Sequence, residues 1–182
     1  LFLESPAGVG FSVANTTGDK STNDYRQSQD AMTALRAWFG KFPEYQDHKW
    51  FVSGESYGGI YVPWMSWQIY QNNLQFNTTG EGHLINLQGF MVGNGATNWD
   101  FDVSPSFPET LYNFNIIPSQ LLKQFNDLNC PYFFNDFRNH SGPSECDPLW
   151  AIMDNESPES LTKDLNWYDL YRIDAAPITA KK

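Results

Sequence analysis

Three short apolar runs in the first hundred residues predict β-strands. Residues 1–3 match the end of a buried strand, and residues 50–53 match a short second strand. Residues 84–92 partly alternate between apolar and polar side chains, which is typical of a third strand. A segment containing glycine, proline or both follows each run and predicts a turn.

Two longer segments between these runs carry the spacing of helices. Thr22 or Asn23 caps the first helix, which runs to about Phe39 before glycine and proline stop it. The second spans residues 60–72, and the polar segment 73–83 after it predicts a hairpin-like loop. The order of strands and helices indicates an α/β fold, with a parallel sheet and crossover helices.

The chain changes character at about residue 100. Beyond it come short helical patterns at residues 108–115 and 118–128, and then segments rich in asparagine and proline. Residues 166–171 predict the start of another strand. We therefore expect residues 1–100 to form part of the sheet core, and residues 101–182 to form part of a helical insertion over it.

Acidic residues outnumber basic ones, giving a net charge of −10 and a sequence pI of about 4.5. This balance argues against nucleic acid and anionic membranes as partners. It suits an acidic compartment, although solubility alone explains it equally well. No segment approaches the roughly 20 apolar residues of a membrane span. The chain begins with Leu1 and shows no signal peptide, so we expect an internal fragment of a longer protein.

Two cysteines and four N-glycosylation sequons bear on the compartment. The sequons favour the secretory route, where cysteines are oxidised. Neither cysteine has a metal-ligand neighbour at zinc spacing. They could pair with each other, pair with cysteines beyond the fragment, or remain two free buried thiols. The cysteines are Cys130 and Cys146, and the sequons begin at Asn15, Asn77, Asn139 and Asn155.

Gly54, Ser56 and Gly58 match the pattern Gly-x-Ser-x-Gly, between an apolar strand and a helix. That context is the one in which the pattern marks a nucleophile elbow. We expect side chains two positions to either side of the serine to collide with the strand and helix, so that glycine is required there. The N–H of Tyr57, at the helix start, would stabilise an oxyanion. The alternative is a glycine-rich turn with an idle serine.

A nucleophilic serine needs a base, which in this fold is a histidine that follows the serine and an acid in chain order. His48, His83 and His140 do not fit that order and are better explained as surface residues. We expect the true acid and base to lie beyond Lys182.

Glu55 stands beside the predicted nucleophile, where its negative charge would oppose an oxyanion. The arrangement becomes favourable if Glu55 is protonated in acidic solution. It could then donate a hydrogen bond to a substrate's terminal carboxylate, or share a proton with another carboxyl group. The alternative is a solvated glutamate on a turn.

Several blocks in order resemble the serine carboxypeptidases, the family that includes lysosomal cathepsin A. They are Leu-Phe-Leu-Glu-Ser-Pro-Ala-Gly-Val-Gly-Phe-Ser at residues 1–12, Trp-Phe and Phe-Pro-Glu-Tyr within residues 38–45, Gly-Glu-Ser-Tyr-Gly-Gly-Ile-Tyr-Val-Pro at residues 54–63, and Gly-Phe-Met-Val-Gly-Asn-Gly at residues 89–95. The resemblance implies an α/β-hydrolase fold without a cofactor, which removes one C-terminal residue from peptides at acidic pH. Residues 101–182 resemble the family's variable helical insertion only loosely.

The same resemblance implies roles for particular residues. Ser56 would attack the last peptide bond, Tyr57 would give one oxyanion amide, and Glu55 would help bind the substrate carboxylate. Gly59 would belong to the turn, and Asn94 to the neighbourhood of the active site. Cys130 and Cys146 would be candidates for disulfides of the insertion.

The resemblance also sets limits on this chain. The family's Gly-Gly-Pro-Gly block and its partner Asn and Glu are upstream and absent, so we expect the fragment itself to be inactive. The implied location is the lysosome, the vacuole or the extracellular space, and a homodimer of the parent protein stays open.

Three other functions remain open at this point. The first is an acyltransferase on the same scaffold. The second is an esterase or lipase. Glu55 argues against it, because the ester substrates of those enzymes carry no carboxylate for Glu55 to bind. The third is a non-catalytic protein that binds and stabilises other glycoproteins.

Overall fold

A computed structural model describes residues 1–98, 106–130, 143–153, 161, 166 and 168–171. The chain divides into two compact units, Leu1–Thr97 and Asn98–Lys182. No helix in the described part of the chain is both long and apolar enough to cross a membrane.

The first unit contains a two-stranded parallel sheet and two long helices. Its elements are α1 (Asp24–Lys41), β1 (Trp50–Glu55), α2 (Gly58–Thr79) and β2 (Leu87–Gly93). Strand β1 pairs with β2 directly, with Val52 opposite Phe90 and Glu55 opposite Gly93. Helix α2 is the crossover between them, so the predicted parallel arrangement is confirmed.

Helix α1 begins where the sequence places a cap. The Asn23 side chain accepts a hydrogen bond from the Arg26 N–H at 2.9 Å, which satisfies an amide of the first turn. The helix buries Ala31, Leu35 and Phe39 on one face, at the predicted spacing.

Helix α2 continues to Thr79, although the mostly polar residues 73–83 predict a loop. The hydroxyls of Thr78 and Thr79 donate to main-chain carbonyls one turn earlier, at 2.9 and 3.0 Å. Gly80 then ends the helix with a φ of +73°, a left-handed conformation that glycine adopts without strain. The Asn77 sequon consequently lies on an exposed helical turn, not in a loop.

Two of the predicted strand segments differ from the structure. Residues 1–3 are exposed and lie outside the described sheet, whose two strands pair with each other. Strand β2 begins at Leu87 because Ile85 is bound to helix α2 instead: its N–H and C=O bond the Asn73 side chain at 2.9 and 2.7 Å.

The core of the first unit lies among α1, α2 and the sheet. Aromatic rings dominate its edge, where Trp38 packs 5.5 Å from Trp50 and 5.1 Å from Tyr45 between ring centres. This packing fixes β1 against both helices and so positions the turn between β1 and α2. The buried members are Met32, Leu35, Phe39, Ile69 and Ile85.

The described residues of the second unit include three short α-helices, α3 (Phe107–Asn113), α4 (Ser119–Asp127) and α5 (Asp147–Met153). A disulfide joins Cys130 to Cys146 within their common core, so the cysteines pair with each other. The predicted strand at 166–171 is wrong for its described residues, 166 and 168–171. The Asn166 side chain instead accepts from the Tyr168 N–H at 3.0 Å and organises a turn.

Candidate active site

Ser56 follows the last residue of β1 and has a φ of +59°, with an exposed side chain. The left-handed region costs a residue with a Cβ on the order of 1–2 kcal/mol. Such strain persists only where the surroundings impose it, and it concentrates at functional sites. Ser56 lies at the carboxyl edge of the sheet, and its side chain is exposed to solvent.

Main-chain hydrogen bonds impose this conformation on Ser56. Its N–H donates to the Gly93 carbonyl at 3.0 Å, and its own carbonyl accepts from the N–H groups of Gly59 and Ala96, both at 3.0 Å. One of these partners belongs to helix α2, and the other two belong to the end of β2 and the turn after it. Both main-chain polar groups of Ser56 are thus used in holding the turn.

The glycines around Ser56 differ in how much room they leave. A Cβ on Gly54 would lie 2.8 Å from the Val62 Cγ2 methyl, and one on Gly59 would lie 2.6 Å from the Ala96 carbonyl oxygen. On Gly58 the nearest atom would be 3.7 Å away, an ordinary van der Waals contact. The prediction of a collision at Gly58 is therefore wrong, because the first turn of α2 leaves space for a methyl group there.

Tyr57 caps the N-terminus of α2, a helix of 22 residues. Its main-chain N–H lies where the helix dipole favours negative charge. Its hydroxyl donates to the two carboxylate oxygens of Asp24 at 3.1 and 3.2 Å, and its ring lies 5.6 Å from that of Tyr61. Burial first, and then the hydrogen bond and negative charge of Asp24, raise the pKa of Tyr57, so the phenol stays protonated.

Glu55 and Asn94 end up at the same edge of the sheet as Ser56. Glu55 is the exposed last residue of β1, and its side chain makes no hydrogen bond or ion pair within the described part of the chain. Asn94 directly follows β2 and has a φ of +42°, a conformation that asparagine tolerates better than most residues. Because neighbouring parallel strands end at one edge, Glu55 and Asn94 lie at the same edge of the sheet as Ser56.

The two described histidines lie at the other end of β1. The His48 ring packs 5.3 Å from that of Tyr45, while His83 approaches Gln46 at 2.8 Å and packs near Phe39, itself against Trp50 at the start of β1. A strand of six residues separates them from Ser56 by about 20 Å. Neither can serve as its base, and His140 lies outside the described residues, as do Asn139 and Asn155.

Comparison with known sequences decides which family this elbow represents. The sequence model of the family described as "Serine carboxypeptidase" matches residues 1–181. The chain belongs to the serine carboxypeptidase family.

Plant members of the family are similar over much of the chain. Serine carboxypeptidase-like 26 of Oryza sativa subsp. japonica is 35% identical over 174 residues, which are 95% of this chain and 32% of that protein. Serine carboxypeptidase 24 of Arabidopsis thaliana is 44% identical over 103 residues, 56% of this chain and 21% of that protein. The chain thus spans about a third or less of the length of these relatives.

A solved structure supports the same fold. The crystal structure of Kex1(Δ)p, a prohormone-processing carboxypeptidase from Saccharomyces cerevisiae, superimposes with a TM-score of 0.52 at 23% identity. The match covers 83% of this chain and 34% of that one. The α/β-hydrolase fold predicted from the sequence is accordingly shown.

Sequence reasoning missed two residues that contribute to the candidate site. Asp24 lies 33 positions from Tyr57 in the chain, and no local pattern links them. The Ala96 amide could have been found, because two glycine-rich turns after neighbouring parallel strands must meet at one edge. Within the described residues, no group of three His, Cys, Asp or Glu could hold a metal ion.

Proposed function

We propose that this chain carries the nucleophile of a serine-type carboxypeptidase, which releases C-terminal amino acids from peptides through an acyl-enzyme on Ser56. The observation that carries the proposal is the conformation of Ser56: exposed, left-handed and held by three main-chain hydrogen bonds at the start of a long helix. An idle serine would gain nothing from that conformation. Membership of the serine carboxypeptidase family supports it.

The proposed reaction is acyl transfer in two steps. The Ser56 oxygen attacks the carbonyl carbon of the last peptide bond, while a base takes its proton. The base then passes that proton to the departing amine, and the C–N bond breaks to leave an ester on Ser56. Water hydrolyses the ester by the same route in reverse. The Tyr57 N–H stabilises the negative oxygen in both steps, and the base and its acid lie outside the described residues.

Glu55 is proposed to bind the free carboxylate of the substrate. It projects from the same edge of the sheet as Ser56, one residue away, and is exposed to an incoming chain end. A protonated carboxyl group donates a hydrogen bond to a carboxylate, whereas two carboxylates repel each other. Glu55 and the substrate carboxylate are therefore proposed to share one proton.

The experiment compares the 182-residue chain with the longer gene product that contains it. The longer product should label with a fluorophosphonate and release amino acids from a blocked dipeptide, faster in mildly acidic than in mildly alkaline buffer. The Ser56→Ala variant should do neither. The 182-residue chain should show no turnover. Equal hydrolysis by Ser56→Ala would refute the assignment, and transfer of the acyl group to an added alcohol in preference to water would make the protein an acyltransferase.

Glu55→Gln and Glu55→Ala test the carboxylate-binding role separately. The glutamine keeps the size of the side chain and a hydrogen-bond donor, whereas Glu55→Ala removes both, so the preference for a free acid over the matching amide should persist in Glu55→Gln and shrink in Glu55→Ala. Gln88→Glu, on the neighbouring strand β2, provides a control that changes an exposed residue without touching the edge. An unchanged acid-to-amide ratio in Glu55→Ala would show that Glu55 does not contact the substrate carboxylate.

We further propose that the protein enters the secretory route. The Cys130–Cys146 disulfide supports this, since such bonds persist in oxidising compartments. Asn15 and Asn77 are both exposed and can accept a glycan. Expression in a secreting eukaryotic host should give a product whose mass falls on enzymatic removal of N-glycans. A reduced, unglycosylated product would contradict the proposal.

A further inference from the structure

We infer that the turn after β2, residues 93–96, is a positioning clamp that sets the main chain of Ser56 and with it the direction of the hydroxyl. This inference rests on the proposed function of Ser56 and assigns residues 93–96 a role that acts through Ser56.

The hydrogen bonds of Ser56 give the first argument. The Gly93 carbonyl receives the Ser56 N–H, and the Ala96 N–H donates to the Ser56 carbonyl, each at 3.0 Å. Gly93 and Ala96 thereby hold both main-chain polar groups of Ser56, its N–H and its carbonyl. A left-handed serine has no intrinsic preference for that conformation and would leave it if these bonds were lost.

Close contact between two turns gives the second argument. A Cβ on Gly95 would lie 2.4 Å from the Val92 Cγ1 methyl and 3.3 Å from the Gly59 Cα. A Cβ on Gly59 would lie within 2.6–2.9 Å of main-chain atoms of Ala96. The clamp can therefore reach the elbow only because both turns carry glycine at the point of contact.

Asn94 lies between Gly93 and Gly95 in this turn and has a φ of +42°. A left-handed residue in the middle reverses the chain sharply after β2 and brings the Ala96 N–H back toward Ser56. The conformation of Asn94 thus allows the hydrogen bond from Ala96, and that bond helps to hold Ser56 in its left-handed conformation.

The matched pair Gly95→Ala and Gly89→Ala tests the clamp. Gly89 lies in β2, and a Cβ added there would meet nothing within 4 Å, so Gly89→Ala makes the same chemical change in the same strand without pressing on the elbow. In the longer gene product, Gly95→Ala should slow acylation by a fluorophosphonate about 100-fold, the cost of a misplacement near 1 Å. Gly89→Ala should leave the rate unchanged.

Two readouts separate positioning from loss of folding. The acylation rate at saturating probe should fall in Gly95→Ala while the half-saturating concentration stays the same, at a temperature where melting curves show every variant folded. Adding Val92→Ala, which removes the methyl that the new Cβ would strike, should restore part of the rate. Equal acylation rates in Gly95→Ala and the parent would overturn the inference.

Amide hydrogen exchange tests the clamp without any activity. The N–H groups of Ser56 and Ala96 should be protected in the parent protein and should exchange faster in Gly95→Ala, with no change in Gly89→Ala. If the folded, unsubstituted protein does not react with the fluorophosphonate at all, the proposed function fails, and amide hydrogen exchange alone then tests the clamp. Rapid exchange of the Ser56 N–H in the parent would refute the clamp.

Discussion

Gly54 and Gly58 stand symmetrically about Ser56 in the sequence motif, yet the structure predicts opposite effects when each is replaced by alanine. A Cβ on Gly54 would lie 2.8 Å from the Val62 Cγ2, well inside an ordinary carbon–carbon contact. Val62 is only 3% exposed and is β-branched, so in a helix it has one strongly favoured rotamer and cannot turn away. The strand or the helix must move instead.

The size of each effect follows from these distances. Overpacking of this kind costs about 1–3 kcal/mol, which should be the loss in unfolding free energy for Gly54→Ala. At Gly58, the first residue of α2, the added Cβ would meet the same methyl at 3.7 Å. Alanine in a helix is better than glycine by up to about 1 kcal/mol, so Gly58→Ala should be neutral or stabilising.

Denaturant unfolding of the two variants and of Gly54→Ala with Val62→Ala measures the difference. Removing the Val62 methyls should recover part of the loss in Gly54→Ala, after correction for Val62→Ala alone, and should do nothing for Gly58→Ala. A destabilisation by Gly58→Ala as large as that by Gly54→Ala would refute the reasoning from contact distances.

Three further predictions concern the scaffold. Replacing Cys130 and Cys146 by serine opens a loop with a sequence separation of 16 and should lower the unfolding free energy of the second unit by about 3 kcal/mol, measured by denaturant unfolding. The raised pKa of Tyr57 means that the folded protein holds the phenol proton more tightly than the unfolded chain does. Stability should therefore be complete below about pH 10 and fall as the pH rises through the folded value, and Tyr57→Phe should remove that slope in melts run against pH. Asn72→Ala should cost about 1–3 kcal/mol in denaturant unfolding, because it leaves Arg36 and the His83 carbonyl without their partner.

Each of these has its own control. Reducing the parent protein should reproduce the double-serine variant, and an unchanged unfolding midpoint would mean that the disulfide adds nothing. Asp24→Asn should reduce the alkaline slope less than Tyr57→Phe does, because burial of Tyr57, the largest cause of its raised pKa, remains; a slope unaffected by Asp24→Asn would contradict the pairing. Asn77→Ala, on the exposed face of the same helix, should change stability by less than about 0.5 kcal/mol.

Local signals in the sequence were sufficient for the elbow and for helix α1. An apolar run followed by glycine-flanked serine predicts a strand and a strained turn, and Asn23 before a helical pattern predicts the cap that forms. Both depend on residues within one turn of each other, which is the range over which sequence patterns carry physical information.

Individual side-chain contacts decided the rest. Helix α2 continues through a mostly polar segment, where the hydroxyls of Thr78 and Thr79 bond carbonyls one turn back. The Asn73 side chain delays β2 by holding Ile85 against α2. The room at Gly58 depends on where the Val62 methyl points. None of these follows from composition or periodicity, because each requires knowing which residues meet.

The contacts that hold Ser56, the proposed nucleophile, are made by main-chain atoms, and this has a consequence for how the site can evolve. Ser56 is held by the carbonyl of Gly93 and the amides of Gly59 and Ala96, none of which depends on a side chain of the holding residue. The side chain at position 96 can therefore be substituted without loss of the hydrogen bond to Ser56, while a side chain at position 59 or 95 would collide with its neighbours. Selection can remodel the substrate-facing surface one residue at a time, and a new acyl acceptor requires no new way of holding the nucleophile.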